Sequence, residues 1–102
     1  MTLVPVVDVG KLEIDKEAVL VKDLALATAR YLMRNPKAAD DVEGIMRWWL
    51  PQEQPGKTVD RVRAAVALLE QQGAMVRMVL PDGHAIFSRA PHWVPDDAVA
   101  GD

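Results

Sequence analysis

Hydrophobic positions fall at helical spacing in three stretches. Leu24, Ala25, Thr28, Ala29, Leu32 and Met33 recur three and four apart, and Asp23 is a suitable N-cap before them. Pro36 ends this first helix, expected over 24–34, because the residue before a proline disfavours helical backbone. Val42, Ile45, Met46 and Trp49 form a second stripe over 41–50, opened by Asp40 or Asp41 and stopped by Pro51. Val59, Val62, Val66 and Leu69 form a third over 59–72, widened by Ala65, with Thr58 as cap and Gly73 as terminator. Two β-rich runs follow, 75–80 and 84–89, joined by Pro81-Asp82-Gly83, which predicts an antiparallel hairpin.

The ends are less regular. Residues 1–10 carry Pro5 and no helical period and read as an extended arm or an edge strand. Lys11-Leu12-Glu13-Ile14-Asp15 alternates polar and apolar, as a half-buried strand does. Ala18-Val19-Leu20-Val21 reads either as its hairpin partner or as the start of the next helix. The expected organisation is an arm over 1–22, a helical domain over 23–90 and a tail over 91–102.

Composition narrows the function classes. The chain has 102 residues and is half apolar, enough for one domain with its own core. It lacks cysteine, which removes disulfides and thiolate chemistry. Two histidines eight apart, His84 and His92, do not make a zinc site, so neither metal nor cofactor is expected. No apolar run spans a bilayer and no secretory leader is evident, so a cytoplasmic protein with no membrane partner is expected. Ser88 is the sole serine and has no nucleophile-elbow motif around it. No phosphate or dinucleotide fingerprint is present. Nothing supports an enzyme. Net charge is −3, and residues 91–102 account for it through Asp96, Asp97 and Asp102, leaving a near-neutral body.

Three helices leading into a hairpin resemble the winged helix-turn-helix superfamily over about Leu24 to Arg89. The stretch that carries the resemblance is Thr58 to Gly73, with its V…V…L-x-x-x-G rhythm, followed by the hairpin with Pro81-Asp82-Gly83 at the wing tip. The resemblance implies a mainly α fold with a small β component, the hairpin forming a C-terminal wing. It also implies DNA binding and transcriptional regulation through the third helix and the 75–89 wing. Lys57, Thr58, Arg61 and Arg63 would form the contacting edge, enlarged by Arg77 and Arg89. Two features depart from DNA-binding members. The wing tip carries Asp82 in place of a basic residue, and the outward face of the third helix offers little besides Arg61 and Arg63.

The alternative is a winged-helix adaptor that binds protein and not DNA. Trp48 points to it. Adjacent helical residues lie about 100° apart, so Trp48 cannot share the buried stripe of Trp49. A tryptophan in that position is expected to lie under the N-terminal arm or against another chain, the latter giving a homodimer or a protein complex.

Overall fold

The computed structural model describes residues 15–93. Asp15 opens the first helix. Its carboxylate accepts the Ala18 amide at 3.0 Å, and α1 runs over Lys16–Arg34. The cap is therefore Asp15 and not Asp23, and the expected boundary at 22/23 falls inside the helix. The 18–21 run is helical because Leu20 and Val21 extend the Leu24/Thr28/Leu32 stripe backwards by one turn. The expected 11–15 strand lies, except for Asp15, outside the described residues, as do the 1–10 arm and the tail beyond Trp93. Met33 is exposed, because Leu32 already fills the stripe at that turn.

After Pro36 the chain makes a two-residue strand, β1 (Ala39–Asp40), which sequence reasoning took for the lead into the second helix. Asp41 then caps α2 (Val42–Gly44) by accepting the Gly44 amide at 2.8 Å. The helix continues as a π-helical turn over Ile45–Trp49, closed by the Leu50 amide donating to the Ile45 carbonyl at 3.2 Å. Leu50 itself is extended, so the second helix ends one residue earlier than expected. Thr58 caps α3 (Val59–Gln71), whose Gln72 serves as the C-cap.

Gly73 ends α3 as expected. At φ 80° it lets its own amide bond the Glu70 carbonyl and the Ala74 amide bond the Leu69 carbonyl, which satisfies two carbonyls the helix leaves open. Strands β2 (Met75–Val79) and β3 (Ala85–Arg89) then pair in the register Met75↔Arg89 to Val79↔Ala85. Both are one residue shorter than expected at the turn. There Leu80 and His84 close a three-residue loop with Gly83 at φ 92°. β1 joins the far side of β3, giving the antiparallel order β1-β3-β2.

The described residues thus form three helices and a three-stranded antiparallel sheet around one core. Leu24, Leu32, Ile45, Trp49, Val62, Val66, Leu69 and Phe87 all belong to it, drawing on every helix and on β3. No helix among the described residues is long and apolar enough to cross a membrane.

Candidate functional site

The residues expected to contact DNA do not form one free basic face. Thr58 spends its hydroxyl on the Arg61 amide at 3.2 Å, and Lys57 Nζ donates to the Pro51 carbonyl at 3.0 Å. Arg61 lies at the α1–α3 junction. Its Nε donates to both oxygens of Glu17, at 3.1 and 3.0 Å, and its Nη1 to the Gly56 carbonyl at 3.3 Å. The Glu17 carboxylate holds the Arg61 guanidinium above its ordinary pKa, mainly through this hydrogen bond, so the cation is permanent but locally neutralised. Arg63 pairs with Asp60 at 3.1 Å. Arg77 grips Glu70 with two bonds of 3.2 and 3.0 Å while its guanidinium lies 5.3 Å from the centre of the Phe87 ring. Three arginines therefore meet three carboxylates of the same chain.

Arg63 and Arg77 line one open depression of about 400 Å³ against the wing. Asp41 and Glu43 line it too, so its charge is balanced. At the wing tip Asp82 accepts the His84 amide at 2.9 Å and its other oxygen lies 3.1 Å from His84 Nδ1. These bonds, the backbone one first, hold the Asp82 carboxyl below its ordinary pKa. The tip is an acid tied to its neighbour, with no lysine or arginine to offer a phosphate.

A second groove, of about 440 Å³, lies between α1 and the π turn. One wall is the α1 face made by Ala27, Arg30, Tyr31 and Arg34, which are three and four residues apart and so stand in one row. The opposite wall is Trp48 and Trp49, continued by Leu50 and Pro51. Trp49 is 7% exposed and stacks on Tyr31 with ring centres 4.8 Å apart and planes 13° from parallel, binding the two walls together. Trp48 is 73% exposed, the most exposed of the large apolar side chains described. The split between the two tryptophans follows the sequence expectation. The arm expected to cover Trp48 lies outside the described residues.

The π turn matters to this arrangement. Its i→i+5 bond inserts one extra residue into the turn just before Pro51 ends the helix, and such turns recur at functional sites. Gly44 permits it to start close to β1, since a Cβ there would collide with the Asp40 carboxylate.

Sequence reasoning missed Arg30 and Arg34. Among the described residues neither has a hydrogen-bond or ion-pair partner, unlike Arg47, Arg61, Arg63 and Arg77. No carboxylate among the described residues lines their groove. The signal was readable, because positions three and four away from each hold no Asp or Glu and the Ala27/Tyr31 row is neither charged nor part of the main stripe. It was passed over because both arginines sit opposite that stripe, where solvated charge is ordinary.

No group of three or more histidine, aspartate or glutamate side chains suited to a metal comes together among the described residues. Comparison with known proteins finds no matching family model, no matching curated protein and no matching solved structure, so the site stands on its own geometry.

Proposed function

We propose that the chain is a winged-helix protein-interaction module, and that it seats a segment of a partner protein in the groove between α1 and the π turn. The winged-helix part rests on the resemblance of the three helices and the Pro81-Asp82-Gly83 hairpin to that superfamily. The docking part rests on one observation. Trp48 stands exposed beside two guanidiniums with no partner among the described residues, whereas Arg61, Arg63 and Arg77 of the α3 and wing edge each hold a carboxylate and Arg89 donates to the Trp93 carbonyl. Exposed aromatic and arginine side chains are the groups that anchor protein interfaces. Backbone-driven DNA affinity needs several cations free to face phosphates, and here the α3 cations are spoken for.

The test is fluorescence anisotropy with a mixed-sequence 30-base-pair duplex at 50 mM salt. The docking reading expects no binding that depends on Arg61 or Arg63. Saturable binding that is lost in Arg61→Ala/Arg63→Ala and steeply weakened by salt would replace it with the DNA reading.

A further inference from the structure

We propose that the groove recognises a short acidic segment of a partner protein, in which carboxylates flank one apolar or aromatic side chain. The proposal deepens the docking reading above and depends on it.

Arg30 and Arg34 are four apart on α1, so their Cβ atoms lie about 6 Å from each other and their charges repel. Elsewhere arginines of the chain have carboxylate partners: Glu17 meets Arg61, Asp60 meets Arg63, Glu70 meets Arg77 and Glu43 approaches Arg47 at 3.9 Å. At the groove no described carboxylate pairs with Arg30 or Arg34. Arg34 lies in the last turn of α1, where the helix dipole favours a cation but supplies no carboxylate. Two planar guanidiniums on one row present a paired set of donors that a carboxylate can accept in bidentate fashion.

Trp48 provides a large flat surface beside those cations, and the Tyr31–Trp49 stack holds the walls at fixed separation. A partner side chain entering there finds an apolar face at its centre and cations at one side. That combination suits an apolar anchor with acidic neighbours better than a purely acidic stretch.

At about 440 Å³ and open to solvent, the groove takes a few side chains and does not enclose a ligand. Single-stranded nucleic acid also likes arginine and tryptophan, but it needs a basic path over about four or more nucleotides. Two cations beside the groove already have partners: Lys57 donates to the Pro51 carbonyl and Arg47 approaches Glu43 at 3.9 Å.

The experiment selects random dodecapeptides displayed on phage against the full chain and against two variants, Arg30→Glu/Arg34→Glu and Trp48→Ala. All three positions are solvent-facing, and far-UV circular dichroism and thermal melts check that each variant folds. Recovered peptides are synthesised and measured by anisotropy. The expected result is peptides rich in Asp and Glu around one Leu, Phe, Trp or Tyr. Their affinity falls at least tenfold in either variant, and by a similar factor when their acids are changed to Asn and Gln. Selection on Arg30→Glu/Arg34→Glu should return Lys- and Arg-rich peptides instead.

Peptides that need Trp48 but are neutral, and that ignore the arginine reversal, would overturn the acidic partner and leave the docking reading intact. If no recovered peptide depends on Trp48 or on the arginines, both readings fail. Binding of a twelve-base oligo-dT that is lost in the same variants would assign the groove to single-stranded nucleic acid. A chain lacking residues 94–102 that binds the acidic peptides tenfold more tightly would make the chain's own acidic tail the occupant, again overturning the assignment to a partner.

Discussion

Replacing Trp49 and Trp48 one at a time separates the part of this fold that holds the groove together from the part that faces outward. Trp49 is 7% exposed and Trp48 is 73% exposed, though they are chain neighbours. A tryptophan covers about 200 Å² when fully buried, so at about 25 cal/mol per Å² Trp49 contributes roughly 4–5 kcal/mol of burial. Measured costs of deleting buried aromatics, about 3–5 kcal/mol, agree with that figure, and they include the cavity left against Tyr31. Only about a quarter of the Trp48 surface is covered, so the same arithmetic gives about 1.4 kcal/mol at most. Urea denaturation followed by far-UV circular dichroism reads the difference. With a slope of about 1–2 kcal/mol per molar, expected for a small domain, Trp49→Ala should lower the midpoint by about 2 M or more. Trp48→Ala should move it by less than about 1 M. Should Trp49→Ala fail to fold, Trp49→Phe keeps the ring against Tyr31 and should cost a fraction of that. Equal costs at the two positions would refute the assignment of one ring to the core and the other to the surface.

Three further outcomes follow from single features. Leu69→Ala, at a buried position on α3, should cost about 2–5 kcal/mol in the same assay. Gly73→Ala should cost about 1–2 kcal/mol, because a side chain at φ 80° strains the turn that ends α3, even though nothing lies within 4 Å of the added carbon. Because the folded wing holds the Asp82 carboxyl below its ordinary value of 3.8, its stabilising bonds to His84 are fully present above pH 3.8 and fail as the pH falls through the lower, folded value. The His84 and Gly83 amide shifts should therefore titrate with a midpoint under 3.8, and a midpoint at or above it contradicts the bonding described.

Much of the fold was legible because its periodicity was simple. The α3 stripe, its Thr58 cap and its Gly73 terminator involve only neighbours along the chain, and the hairpin register follows from the Pro81-Asp82-Gly83 turn. β1 was not legible, since two residues carry no alternation and owe their strand conformation to pairing with Phe87 and Ser88, far away in sequence. The start of α1 was obscured by Val19 and Val21, whose β-branched side chains suggest a strand until Leu20 and Val21 are seen to continue the helical stripe. At the site, spacing alone placed Trp48 outside and Trp49 inside. It could not show which arginines were free. Arg61 looked available until Glu17, 44 residues earlier, came to lie against it. Arg30 and Arg34 looked ordinary until the π turn brought Trp48 across from them.

The central claim is that the working surface is the Arg30/Arg34/Trp48 groove and not the α3 and wing edge. The most direct measurement is a ¹H–¹⁵N NMR titration of the full chain with a selected acidic peptide. The account predicts shifts concentrated at Ala27, Arg30, Tyr31, Arg34 and residues 48–54, led by the Trp48 indole N–H. Shifts centred instead on residues 57–63 and Arg77, with the Trp48 indole unmoved, would contradict it.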